Sequence, residues 1–488
     1  MASSLARIAA RGVLWTGFGQ VLRQVIQVVS SVVLARLLLP ADFGLLGMAI
    51  FFVGFAQLFA DFGIGSAIIH RQELDQRILS SSFWFGVIVS AGLAVLVSLC
   101  AEPVAAFYGE PSLVPIVLML SINLILTGAQ AVPMARLQQQ MRFADAAKAQ
   151  VLSGLIAATT AIVLAFAGFG VWALVFQPIV GSTVMLALMM YFGEWRPSFT
   201  MHWPSVRSLL GFSGHVLSSS MITYATRNVD QLLIGRFIGQ AALGVYSLAY
   251  QIMLYPLQHV SSVIVRVLFP TLSQIRGDVD RFSSAYLAAV GVIAFITFPL
   301  MAGLFAVADD FVVVVFGDKW VGMVLVLKVF AWLGMMQSIA TTVGTIYLAT
   351  GETKLMLKVS TYSAPVLIGG MVAGLYWGIE GVAVGYTLAS FGIFYFSVRV
   401  ALGVANIPQS RFYASLARPL CGSIVMVLVV MLIVHLMSDY QEIVRLVVAI
   451  SSGVVSYVLL SFIINKKQTN FIINVLRNAI RKVEVSAA

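Results

Sequence analysis

Charge is scarce in this chain. Asp, Glu, Lys and Arg make up 10% of its 488 residues, against roughly 25% in an ordinary soluble domain. Acids are the scarcer kind, 19 against 29 basic residues. With 60% hydrophobic residues and a mean hydropathy of +0.99, a water-soluble globular fold is excluded, because no aqueous core hides that much apolar surface. Cysteine is nearly absent. Cys100 and Cys421 fall near opposite membrane faces in the topology below. A disulfide needs Cα atoms roughly 4.4–6.8 Å apart, so no bridge is expected, and both read as small apolar fillers. His70, His202, His215, His259 and His435 show no metal-ligand spacing. A GxxxxGK[ST] phosphate loop is missing, which excludes nucleotide hydrolysis by the chain itself. No Ser/His/Asp or paired-carboxylate arrangement stands out, and Asp309-Asp310 reads as the solvated edge of an outer loop. The chain is therefore read as a non-enzyme with no metal and no cofactor. The N-terminus lacks a small-residue cleavage site after its basic Arg7 and Arg11, so a first membrane helix is expected there rather than a cleavable signal.

Long apolar runs are what the chain has instead. A spanning helix needs about 20 mostly apolar residues. Fourteen such stretches are readable: 13–35, 43–69, 80–107, 113–133, 149–168, 171–192, 209–235, 241–267, 285–308, 321–349, 359–376, 381–402, 417–437 and 443–465. The first and the seventh are the most polar. Sorting Lys and Arg by the side on which each connection falls gives a skew of roughly five to one, which places both termini in the cytoplasm. The minority side holds only Arg36, Arg236, Lys319 and Arg445, and Arg23, Arg227 and Lys328 lie inside spans. The net charge of +10 is thus a topology signal, and no nucleic-acid partner is expected.

Residues 34–49, LARLLLPADFGLLGMA, are echoed at 234–249, IGRFIGQAALGVYSLA. Arg36 matches Arg236, Ala41 matches Ala241, Gly44 matches Gly244 and Ala49 matches Ala249. The two copies are six spans apart and enter the membrane in the same sense, which makes a parallel repeat. A second echo joins Gly168-Phe169-Gly170-Val171 to Gly378-Ile379-Glu380-Gly381-Val382, both read as glycine turns with φ > 0. The expected fold is an all-α polytopic membrane protein of about 14 transmembrane helices. Its N-lobe is 1–207 and its C-lobe 208–405, each of six helices. Two further helices follow at 406–465, then a basic cytoplasmic tail at 466–488 suited to anionic lipid head groups.

Ionisable and strongly polar groups inside a bilayer are costly, so each is a functional candidate. Span one carries Gln20, Arg23, Gln24 and Gln27 at spacings of three and four, on one helix face. Span seven carries Thr223, Tyr224, Arg227, Asp230 and Gln231 in the same way. Together they would line a polar, positively charged cavity, or would hydrogen-bond neighbouring helices; both readings stand for the glutamines. Asp230 reads either as the partner of Arg227, three residues away, or as an ion-coupling site. Asp61 reads as a coupling site for a proton or cation, or as a cap on a break made by Gly63 and Gly65. Lys328 is placed to snorkel, and Arg36 and Arg236 suit helix C-termini.

Several runs resemble those of Wzx-type polysaccharide exporters: Leu34-Ala35-Arg36-Leu37-Leu38-Leu39-Pro40-Ala41-Asp42-Phe43-Gly44, Asp61-Phe62-Gly63-Ile64-Gly65, Gly170-Val171-Trp172-Ala173-Leu174-Val175, Asn228-Val229-Asp230-Gln231-Leu232-Leu233-Ile234-Gly235, Leu243-Gly244-Val245-Tyr246-Ser247 and Phe269-Pro270. The chain is most similar to the colanic-acid and xanthan exporter group, within the multidrug/oligosaccharidyl-lipid/polysaccharide superfamily. The resemblance implies a flippase that moves a polyprenyl-pyrophosphate-linked oligosaccharide across the bacterial inner membrane by alternating access, for surface polysaccharide assembly. It implies Arg23 and Arg227 as pyrophosphate ligands, the glutamines, Thr223 and Tyr224 as partners of sugar hydroxyls, and glycosyltransferases and a polysaccharide polymerase as partner enzymes. One departure concerns coupling. Drug/cation antiporters of the superfamily often carry an acid in the first helix, and none lies there in this chain, so coupling to a proton or sodium gradient stays open. An exporter of another small or anionic solute, and a membrane glycan polymerase or ligase, are the alternative readings.

Overall fold

Pro40 sets the first boundary. The opening helix, α1 (Ala2–Leu37), stops just before it, and α2 (Pro40–Ala60) begins with it. Proline suits the first helical position, where its missing N–H would have had no partner. Asp42 reaches back from the first turn of α2, its Oδ2 accepting from the Leu39 N–H at 2.9 Å. The computed structural model describes residues 2–60, 68, 75–203, 214–466, 468, 469 and 477, and Asp61 lies outside them. Among the described residues every regular element is helical.

The chain divides into two compact units, Met1–Gly244 and Val245–Ala488. The first holds α1, α2, α3 (Gln76–Leu99), the short α4 (Ala101–Tyr108), α5 (Leu113–Gln139), α6 (Phe143–Phe166), α7 (Val171–Gly193), α8 (Gly214–Phe237) and the start of α9 (Gln240–Pro256). Helix α6 packs on both α1 and α7 through the buried alanines Ala157, Ala161 and Ala165. Small side chains let helix backbones approach closely where lipid offers no hydrophobic drive. Leu34 of α1, Leu38 just after it, and Ala173 and Leu174 of α7 fill the seam.

The segment after α7 is sewn to the start of α3. Trp195 Nε1 donates to Gln76 Oε1 at 2.7 Å and Trp84 Nε1 to the Ser198 carbonyl at 2.9 Å. The Ser198 N–H donates to Ser80 Oγ at 3.0 Å and the His202 N–H to Ser81 Oγ at 2.8 Å. Side chains thereby satisfy backbone groups that no helix supplies.

The second unit holds the rest of α9, a π-helical turn at Leu257–Ser261, α10 (Ser262–Gln274), α11 (Val279–Phe316), a 3₁₀ stretch at Asp318–Met323, α12 (Val324–Thr350), α13 (Thr353–Gly374), a 3₁₀ turn at Leu375–Trp377, α14 (Gly378–Val404), α15 (Gln409–Leu436) and α16 (Glu442–Ile464). Helix α11 is its centre and packs on α12, α15 and α16.

Twelve stretches of described helix are long and apolar enough to cross a membrane. One of them, Thr353–Val404, runs for 52 residues, far beyond the roughly 30 Å of a hydrocarbon core at 1.5 Å per residue. Gly378, at φ +71°, breaks it into α13 and α14. Helix α8 falls outside the twelve because its polar side chains lower its hydropathy. With the division at Gly378 and α8 the spans among the described residues number fourteen, and the protein is an all-α, multi-pass membrane protein. Gly168 and Gly170 also take positive φ, +81° and +55°, as read for the first of the two glycine turns.

Three sequence expectations need correction. Asp309 and Asp310 are not in an outer loop. They belong to α11, which runs on to Phe316 because basic groups of α12 and α16 meet both carboxylates. The stretch read as one span over 80–107 is two helices, broken at Cys100. Cys100 and Cys421 are free, as expected, but both are exposed rather than core fillers.

Candidate functional site

On α1 the polar face lies open. Gln20, Arg23 and Gln27 are exposed and Gln24 is half-buried. Arg23 Nη2 donates to Gln20 Oε1 at 3.1 Å, a contact made by residues three apart on one helix face. One turn beyond Gln27, Ser30 is buried, and its hydroxyl accepts from Gln177 Nε2 of α7 at 3.2 Å. The polar stripe of α1 thus ends in a helix–helix hydrogen bond, while Arg23 remains in the open part.

On α8 the equivalent side chains divide. Arg227 is exposed and Gln231 half-buried. Asp230 is withdrawn to 2% exposure, and its Oδ1 accepts from the Gln231 N–H at 2.8 Å. The guanidinium and the carboxylate therefore occupy different environments although only three residues separate them. Thr223 lies on the same helix, next to Tyr224. The Tyr224 hydroxyl donates to the backbone carbonyls of Phe51 at 3.0 Å and Ile50 at 3.3 Å on α2. Its ring stands 6.1 Å from those of Phe51 and Phe55. The notch it enters exists because residue 54 is glycine: a Cβ there would overlap the Tyr224 hydroxyl.

Above this joint, at the end of α8, the Arg236 guanidinium sits 5.5 Å over the Phe107 ring, a cation–π contact. Tyr108 beside it is buried, and burial pushes its phenol well above the ordinary range, with Tyr224 a lesser cause.

In the second unit Lys328 and Arg445 are paired with the adjacent acids of α11. Lys328 Nζ lies 2.6 Å from Asp309 Oδ2 in an ion pair. Arg445 grips Asp310 with two nitrogens, Nε donating to Oδ2 at 2.8 Å and Nη2 to Oδ1. The side chains of Arg445 and Asp310 are 18% and 6% exposed. Arg445 Nη1 also donates to the Ser438 carbonyl at 3.3 Å. These groups hold α11, α12 and α16 together.

Arg23 and Arg227 are placed differently from that pair. Each is exposed within a membrane-spanning helix, where an arginine is costly unless it meets water or an anion, and guanidinium matches phosphate oxygens in bidentate geometry. Sequence reading missed the Tyr224 notch and the Ser30–Gln177 bond. Gly54 and Gln177 were visible in the chain, but no spacing rule links residues more than a hundred positions apart.

Comparison with known proteins gives three concordant findings. A family model described as "Polysaccharide biosynthesis protein" matches residues 33–325. The teichuronic acid biosynthesis protein TuaB of Bacillus subtilis (strain 168) is 28% identical over 72% of this chain and 73% of its own length. The lipopolysaccharide biosynthesis protein WzxC of Escherichia coli (strain K12) is 27% identical over 79% of each chain. Among solved structures, the inward closed conformation of the lipid II flippase MurJ superposes with a TM-score of 0.73 at 17% identity, covering 92% of this chain and 98% of that one. The last likeness is one of fold.

Proposed function

The chain belongs to the polysaccharide biosynthesis protein family, and from that premise we propose that it is a flippase for lipid-linked oligosaccharides. Its substrate is an oligosaccharide carried on a polyprenyl pyrophosphate, moved from the inner to the outer leaflet of the bacterial inner membrane by alternating access. Both termini are cytoplasmic in this reading, in keeping with the skew of basic residues. Glycosyltransferases supply the substrate and a polymerase consumes the product.

The observation that carries the reading is the pair of exposed arginines, Arg23 on α1 and Arg227 on α8. They suit a hydrated cavity, and the group whose charge and geometry answer them is a pyrophosphate. Gln20, Gln24, Gln27, Gln231 and Thr223 offer amide and hydroxyl groups to the sugars nearest it. The lipid chain remains in the bilayer. Transport draws on a proton or sodium gradient, with Asp230, which is buried, and Asp61 as its carboxylates.

Deletion tests this directly. Cells lacking the protein should accumulate the lipid-linked repeat unit in the inner leaflet and lose surface polysaccharide, and the Arg23→Ala, Arg227→Ala double variant should fail to restore export at normal protein levels. Full restoration by that variant would sink the pyrophosphate assignment. Accumulation of flipped but unpolymerised units in the outer leaflet would point to a polymerase instead.

A further inference from the structure

Midway along the 35-residue span Gln240–Gln274, the second unit carries a polar structure that neither the repeat nor the arginines account for. Pro256 lacks a backbone donor and crowds the preceding turn, and the helix widens directly after it into the π-turn Leu257–Ser261. Turns of this kind cost stability and recur at functional sites. This one arranges four side chains. Gln251 Nε2 donates to the Tyr255 hydroxyl at 3.3 Å. The Tyr255 ring stacks on the His259 ring with centroids 6.3 Å apart and planes 26° apart. Gln258 and His259 are exposed, Gln251 and Tyr255 half-buried, and Leu257 and Ser261 of the same turn buried. The turn therefore buries Leu257 and Ser261 and leaves the Gln258 amide and the His259 imidazole outward, midway along the span. Such groups gain nothing from lipid, which offers no hydrogen bonds.

The ladder combines hydrogen-bonding groups with flat rings. It holds two amides, a phenol and an imidazole, which both donate and accept. The flat faces of Tyr255 and His259 carry π density suited to weakly positive C–H groups. A sugar ring presents alternating hydroxyls with a C–H face, and these groups match both. Resting on the flippase reading, we propose that Gln251, Tyr255, Gln258 and His259 form a glycan-binding ladder in the second unit, separate from the arginines that meet the pyrophosphate.

The test uses the full chain in lipid nanodiscs and two probes: sugar-free polyprenyl pyrophosphate, and the lipid-linked oligosaccharide extracted from cells lacking the protein. Gln258→Ala and His259→Ala, both at exposed positions, should each weaken binding of the oligosaccharide-bearing lipid by about tenfold, the equivalent of about 1.4 kcal/mol. Binding of the sugar-free lipid should stay within about twofold. Tyr255→Phe keeps the ring and loses only the Gln251 bond, so it should fall between wild type and the alanine variants. Arg227→Ala should weaken both probes. Equal loss for both probes in the ladder variants, or no loss for either, would overturn the ladder while leaving the arginine result standing. If wild type bound neither probe, the flippase reading would fall and the ladder with it.

Discussion

Gly44 and Gly244 meet backbone to backbone. A Cβ on Gly44 would overlap the Gln240 carbonyl, and a Cβ on Gly244 would overlap the Pro40 carbonyl. The contact is reciprocal, and each partner sits 200 positions from its counterpart, the same offset as in the sequence repeat. The conserved spacing therefore has a steric meaning: the two copies of the segment cross where each needs the absence of a side chain.

Either glycine changed to alanine forces the backbones apart. Overfilling a packed contact costs roughly 1–3 kcal/mol. Gly44→Ala and Gly244→Ala should each lower the thermal midpoint of the purified protein, and the double variant should lose less than the sum because one displacement relieves both overlaps. Gly154→Ala, where a Cβ meets nothing within 4 Å, should leave the midpoint unchanged or raise it.

Tyr224 gives a second test at the joint of α2 and α8. Tyr224→Phe preserves the ring contacts with Phe51 and Phe55 and deletes the hydrogen bond to the backbone carbonyls. The loss should be about 0.5–1.5 kcal/mol, read by denaturation of the purified protein. Gly54→Ala should cost more, because it closes the notch. Tyr224→Phe combined with Gly54→Ala should recover part of that loss, since the clashing oxygen is gone.

The adjacent acids of α11 should respond unequally. Removing one partner of a buried ion pair costs roughly 3–5 kcal/mol, so Asp310→Asn or Arg445→Met should sharply reduce folded protein in the membrane. Asp309 is 66% exposed, and an exposed pair contributes roughly 0–1 kcal/mol, so Asp309→Asn should be tolerated. Fluorescence-detected size exclusion of the four proteins, wild type included, separates the cases. Equal behaviour of the two asparagine variants would contradict the burial difference.

The two free cysteines report topology. Cys100 sits at the break between α3 and α4, on the outer side in the proposed topology, and Cys421 lies in the body of α15. A membrane-impermeant maleimide added to intact cells should label Cys100 and leave Cys421 unmodified. Labelling of Cys421 alone would contradict the assigned orientation.

Much of this architecture was readable in the chain because a bilayer imposes blunt rules. Apolar length marks the spans, and the basic residues mark their ends. Even the polar character of 209–235 was visible beforehand, and it is the reason α8 stands apart from the twelve most apolar stretches. Side-chain partners were not readable. Asp309-Asp310 resembled a loop because two adjacent acids rarely sit in a membrane helix, and their neutralising cations come from α12 and α16. The hydroxyl of Tyr224 was assigned to sugars, and its inward turn depends on one absent side chain at position 54. Asp230 was visible as an intramembrane acid, but its burial beside an exposed Arg227 was not. The π-turn had a local cause, Pro256, yet nothing in the spacing of Gln251, Tyr255 and His259 distinguished a functional ladder from an ordinary helix face.

The grip of Arg445 on Asp310 also carries a schedule. The two residues are 135 positions apart, and a ribosome adding about 5–20 residues per second delivers the arginine roughly seven to thirty seconds after the aspartate. Throughout that interval α11 must tolerate a carboxylate whose eventual counter-charge has not been made. A chain truncated before α16 should therefore retain an uncompensated acid in α11 and be the form that membrane quality control removes.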